Sequence, residues 1–137
     1  MKPIVQEERT GCGIAAVAAI AGVSYAKARA AAASLGISSL DRRLWSETIH
    51  VRRLLAQFGV HAATTRRPFR AWSTLPDCAL LAIKWRLEQG RPFWHWVVFV
   101  RTKEQAYVVD SKPTLKSALR TDFGRMKPRW FLPVAMK

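Results

Sequence analysis
The sequence predicts an α+β fold in which N-terminal helices pack on a C-terminal antiparallel sheet. Three observations carry that expectation. Helix-like patterns punctuated by glycines fill residues 13–59, and β-branched and aromatic runs replace them beyond Gly59. A five-residue polar connection, 101–105, joins the two clearest of those runs, as an antiparallel hairpin requires. Finally, 137 residues that are 50% hydrophobic and include six tryptophans suit one packed domain spanning 1–137. A domain of that size buries about two-thirds of the surface its unfolded chain exposes.

The first helix is expected over residues 13–21, where small apolar residues run almost unbroken, with Gly22 as its stop. Ser24 reads as the N-cap of a second helix that continues to about Leu35 and closes at Gly36. A third starts near Ser46, with Ile49, Leu54, Leu55 and Phe58 on one face, Arg52 and Arg53 off it, and Gly59 at its end. Residues 60–64 make a short strand, and 78–84 make another after the Leu75-Pro76 pair. Residues 94–100 and 106–110 are the predicted hairpin. The last strand is 130–134, and Pro133 suits an edge because it has no N–H to donate.

Composition narrows the function classes. Cys12 and Cys78 are too few for a disulfide framework or a four-thiolate zinc site, so no metal is expected and a reducing compartment fits. The expected location is the cytoplasm, with secretion as an effector left open. Lys2, the apolar run 14–23 and Ala26-Lys27-Ala28 have the outline of an export signal, but Glu7 and Glu8 stand directly before a run rich in Ala rather than Leu. No segment reaches the roughly 20 apolar residues that a transmembrane helix needs. The 23 basic residues exceed the 9 acidic ones by 14, and that field attracts anions. Because the arginines are scattered as pairs, at 42 and 43, 52 and 53, and 66 and 67, they read as a solvated basic surface before they read as a nucleic-acid site.

The candidate chemistry starts at Cys12. A thiol is nucleophilic as thiolate, and a helix N-terminus favours that anion through unpaired N–H groups and the macrodipole. Gly11 and Gly13 on either side are expected to leave room for a substrate backbone. His95 is the expected base, since it sits in a strand otherwise made of Trp, Val and Phe, whereas His50 and His61 have no chemical company. Asp110 ends the strand expected to pair with that of His95, where a carboxylate would fix the imidazole tautomer. Trp94 and Trp96 would wall a peptide groove beside His95, while Cys78 and most other tryptophans read as core.

These residues, with Gln6 placed six before Cys12, resemble the papain-like clan of cysteine peptidases, and within it the bacteriocin-processing, double-glycine leader peptidases. The segments that carry the resemblance are QEERTGCGIAAVAAIAG, SETIHVRRLLAQFGVHA, LPDCALLAIKW, FWHWVVFV, YVVDSKP and DFGRMKPRWFLPV, which together span nearly the whole chain. The resemblance implies a papain-like fold and peptide-bond hydrolysis without metal or cofactor. It also implies cleavage after small residues, such as a Gly-Gly pair, of a leader or partner peptide. Gln6 then takes the place of the glutamine whose amide helps form the oxyanion hole. The chain departs from the family in having Gly11 where an acid usually precedes the cysteine, and an exporter membrane domain is not expected to follow.

The same Cys-His-Asp set serves a deamidase, if ammonia leaves, or an acyl transferase, if an amine intercepts the thioester. A catalytically silent papain-like module that binds a peptide is a further class. A basic nucleic-acid-binding domain, resting on charge alone, is another. The expected partner is a peptide or protein, with an acidic one in keeping with the charge of +14.

Overall fold
The computed structural model describes residues 1–135; residues 136 and 137 of the expected domain lie outside the described residues, as does the side chain of Trp45. Helices α1 (Cys12–Ala21), α2 (Tyr25–Ser34) and α3 (Ile49–Gln57) come first. Strands β1 (His61–Ala62), β2 (Arg67–Pro68), β3 (Cys78–Glu88), β4 (Arg91–Arg101), β5 (Ala106–Val109) and β6 (Leu119–Arg120) follow, then a short helix α4 (Phe123–Met126) and β7 (Trp130–Ala135). The strands form an antiparallel sheet in the order β1-β7-β3-β4-β5-β6, with β2 also pairing β7. Helices on an antiparallel sheet are thus what the chain forms.

Helix α1 is buried from Cys12 through Ile20. A helix with no polar face belongs in a core, and its small residues let neighbours close in. A Cβ on Gly13 would stand 3.1 Å from Val51 Cγ1 and 3.4 Å from Trp96 Cδ1. Gly22 stops α1 in the left-handed conformation at φ 71°, its N–H returning to the Ala18 carbonyl. Ser24 caps α2 as expected, its hydroxyl oxygen accepting the Lys27 N–H at 3.1 Å. At the other end of α1, Gly11 lies against the Tyr25 hydroxyl and the Glu8 carbonyl, with no room for a side chain. Tyr25 donates to the Glu8 carboxylate, which also meets Arg29 at 2.9 Å. This ties the segment ahead of Cys12 to α2.

The third helix begins later than expected. Asp41 caps a 3-10 turn over Arg42–Trp45, accepting the Arg43 N–H at 2.9 Å, and the Leu44 carbonyl is held by Trp96 Nε1 at 2.6 Å. Those bonds occupy the backbone until α3 starts at Ile49. Ile49 is consequently 50% exposed, and Val51 joins Leu54 and Leu55 in the core instead.

Both faces of the sheet are covered. Leu80, Ala82, Trp94, Trp96, Val98 and Leu132 face the helices, whereas Ala79, Leu81, Ile83, Val97, Phe99 and Phe131 face a smaller cluster with Leu75 and Met126. This second cover explains why β3 and β4 read as continuous apolar runs rather than alternating ones. Their hairpin extends beyond the core to a turn at Gln89 (φ 53°) and Gly90 (φ 79°). Two left-handed residues match the twist of a two-residue hairpin. Pro133, expected at an edge, lies in a strand paired on both sides. It is tolerated because it sits opposite the break between β1 and β2, where its carbonyl accepts the Ala63 N–H at 2.9 Å.

Leu80, with 0% exposure, tests the helical side of the core. Truncation Leu80→Ala should lower unfolding free energy by about 2–5 kcal/mol, read from the urea midpoint at unchanged slope. Gly11→Ala should cost about 1–3 kcal/mol through overpacking. The reference is Gly124→Ala, where nothing lies within 4 Å of the added carbon. Equal stability of the two alanine variants would refute the close approach at Gly11.

Candidate functional site
His95 is carried by β4, and Asp110 follows directly after β5, whose last ladder pair with β4 is Val109 with Val98. The structure brings the two side chains together, with His95 Nε2 to Asp110 Oδ1 at 2.7 Å. The Asp110 side chain is 0% exposed and that of His95 is 14% exposed. Asp110 Oδ1 also accepts the Lys112 N–H at 3.0 Å, and Oδ2 accepts Arg120 Nη1 at 3.0 Å. Burial by itself pushes this carboxyl up. Hydrogen bonding and charge from His95, the Lys112 N–H and Arg120 outweigh it and hold Asp110 at about 2. For His95 burial pulls the opposite way, lowering the imidazole. The hydrogen bond with the ionised Asp110, together with the influence of the neighbouring Cys12, overcomes it and holds the ring up at about 9.

With Nε2 on Asp110, Nδ1 is the ring nitrogen left for the thiol. Cys12 is the first residue of α1 and is 1% exposed. Its sulfur accepts the backbone N–H of Trp96 at 3.5 Å. Cys12, His95, Gln6 and Trp94 border a pocket of about 570 Å³, with Asp110 behind the imidazole. Gln6 enters from the segment ahead of α1, its backbone N–H donating to the Ser111 carbonyl at 3.0 Å. Its Oε1 accepts the Ser111 hydroxyl at 2.8 Å, and its Nε2 donates to the carbonyls of Glu8 and Arg9 at 3.0 and 3.1 Å. An amide nitrogen has two hydrogens. Donation by Gln6 to a third acceptor therefore requires releasing one of those carbonyls.

The expected groove is corrected in part. Of Gly11, Gly13, Trp94 and Trp96, Trp94 borders the pocket. Gly11 makes room for Tyr25 and Glu8, and Gly13 for Val51, Trp96 and Leu44, rather than for a substrate. Trp96 is 0% exposed. It stacks edge-on with Trp94 and Trp130, at centroid distances of 5.5 and 5.4 Å, inside the core. His50 instead meets Glu47 at 2.8 Å, and Cys78 is a core residue whose thiol burial pushes up to about 12. Among the described residues no group of three or more His, Cys, Asp or Glu side chains could hold a metal ion.

Two participants escaped the sequence reading. Ser111 follows Asp110 directly, yet nothing in its neighbourhood announces that it holds Gln6 across 105 residues of chain. Arg120, ten residues beyond Asp110, sits in a two-residue strand with no periodic signal and divides its guanidinium between Asp110 and Asp122. An arginine fork bridging two carboxylates is a tertiary fact.

No protein-family model and no curated protein matches the chain. Among solved structures, the chain is similar to a double-glycine-motif protease from an AMS/PCAT transporter, determined in complex with the leader peptide. The TM-score is 0.63 at 18% sequence identity, over 99% of this chain and 91% of that one. The likeness is one of fold: the same helices-on-antiparallel-sheet architecture runs through nearly all of both chains.

Proposed function
We propose that the protein is a papain-like cysteine peptidase in which Cys12 is the nucleophile, His95 the general acid and base, Asp110 the residue that orients the imidazole, and Gln6 an oxyanion donor. One observation carries the reading: His95, hydrogen-bonded to the buried Asp110, borders the same pocket as Cys12, which stands at the N-terminus of a core helix. The fold shared with a double-glycine protease supports it. By analogy with the leader peptide bound to that neighbour, the substrate is a peptide presenting small residues such as Gly-Gly at the scissile bond.

In this mechanism His95 holds the proton of Cys12, and the thiolate attacks the substrate carbonyl carbon. The oxygen gains charge and is met by the Cys12 backbone N–H and by the Gln6 amide, which swings off one of its carbonyls. Collapse of the tetrahedral intermediate breaks the C–N bond as His95 gives its proton to the leaving amine. Water then attacks the thioester, with His95 taking the water's proton and returning one to sulfur. Asp110 stays ionised throughout, because its three donors favour the carboxylate.

A peptide chloromethyl ketone ending in Gly-Gly should alkylate Cys12 faster than free cysteine at pH 7, and Cys12→Ala should abolish both labelling and turnover. Labelling no faster than free cysteine would sink the reading. His95 is protonated below about 9, and the attacking pair needs that proton for the leaving amine, so kcat/KM should fall as pH rises through about 9. Asp110→Asn removes a negative charge that favours the imidazolium, so the alkaline limb should move to lower pH. Gln6→Ala should reduce kcat by about 10²–10³-fold if the amide meets the oxyanion. An unchanged kcat would remove Gln6 from the machinery.

A further inference from the structure
Two lysines border the same pocket without a part in the chemistry above, Lys84 and Lys112. Lys84 follows Ile83, whose cross-strand partner is His95, and it occupies the bulge between Ile83 and Arg86. Its backbone takes φ 53°, a conformation uncommon for a residue with a side chain. Bulges re-aim side chains at functional sites. Lys112 follows Asp110 by two residues, on the far side of β4 from Lys84, and borders the same pocket. Burial and the neighbouring Lys112 charge both pull the Lys84 ammonium below its ordinary range.

Two like charges on the lining of one pocket repel until an anion stands between them. Among the described residues neither ammonium has a carboxylate in an ion pair; the ion pairs there run through arginines and histidines. Asp110 is near, but its oxygens are taken by His95, the Lys112 N–H and Arg120. On the segment ahead of Cys12, Glu7 and Glu8 are occupied with Arg29 at 3.4 and 2.9 Å. The unsatisfied charge of the pocket is therefore positive, carried by Arg9 on the segment ahead of Cys12 and by Lys84 and Lys112 beside His95.

We propose that Lys84 and Lys112 form a carboxylate subsite that selects peptides carrying an acidic group close to the scissile bond. This rests on the peptidase reading and adds a preference to it. The carboxylate comes either from an aspartate or glutamate side chain or from the peptide's own C-terminus.

The test uses C-terminally amidated, fluorescein-labelled peptides in which one aspartate is stepped through the positions flanking a Gly-Gly pair. Each has an asparagine counterpart, and one neutral peptide carries a free C-terminal carboxylate. Binding is read by anisotropy on the full-length Cys12→Ala protein, and kcat/KM on the unaltered protein. At one position, or with the free terminus, the acidic peptide should be favoured about tenfold. That preference should shrink with added salt. It should fall to about one in Lys84→Gln/Lys112→Gln and persist in Lys84→Arg/Lys112→Arg. Turnover with no acidic preference at any position overturns the subsite and leaves the peptidase reading standing. Acid-selective binding with no turnover does the reverse, and no binding or turnover of any peptide overturns both.

Discussion
Asp110 carries a negative charge in a place water does not reach, and the pocket is built around tolerating it. An ionised carboxylate with 0% exposure is stable only when its lone pairs are met by donors. Here the donors come from three parts of the chain: the imidazole of β4, the backbone leaving β5 and the guanidinium of β6. Satisfying one carboxylate therefore fixes the imidazole plane, selects Nε2 as the nitrogen turned inward and leaves Nδ1 free of the carboxylate. Loss of any single donor would leave a charge stranded in the interior, so orientation of the ring and stability of this corner of the sheet are one requirement.

The main chain around Cys12 is held by a different device. The glycines beside Cys12 look like concessions to a substrate, yet both are concessions to packing. One admits a tyrosine hydroxyl engaged with Glu8, and the other admits Val51 and an indole. The result is a helix end seated tightly between α2, α3 and β4, with Gln6 tied to the residue after Asp110. The segment ahead of Cys12 is thereby tied to the strand end that carries Asp110 through the Gln6 to Ser111 pair.

What the sequence reveals and what it hides divide along the range of the interactions. Ser24 and Gly22 act through bonds to residues three or four positions away, so the helix limits they set are readable locally. The strand cores of β3, β4, β5 and β7 are readable too, because their apolar runs need a buried setting. The outer half of the β3 and β4 hairpin is not, since its Arg, Glu and Gln residues carry no apolar signal and its register is imposed by a turn at Gln89 and Gly90. The start of α3 is displaced by a tryptophan from 52 residues away that claims the Leu44 carbonyl. At the site, Cys12, His95 and Asp110 stand out by residue type and by the elements that hold them. Ser111 and Arg120 do not, because a serine and an arginine acquire meaning only from what the fold puts opposite them.

The Gln6 to Ser111 bond has a consequence in time. A chain made from its N-terminus exposes Cys12 long before His95 and Asp110 exist, and the bond that anchors Gln6 spans 105 residues. Contacts of such long sequence separation form late, after much of the chain entropy has been lost. During synthesis the thiol is therefore an ordinary cysteine in an apolar helix, with no imidazole to take its proton. On the peptidase reading, its reactive setting appears only when β4 and the segment after β5 close over the first segment, so a partly made or partly folded chain would carry the sulfur without the chemistry.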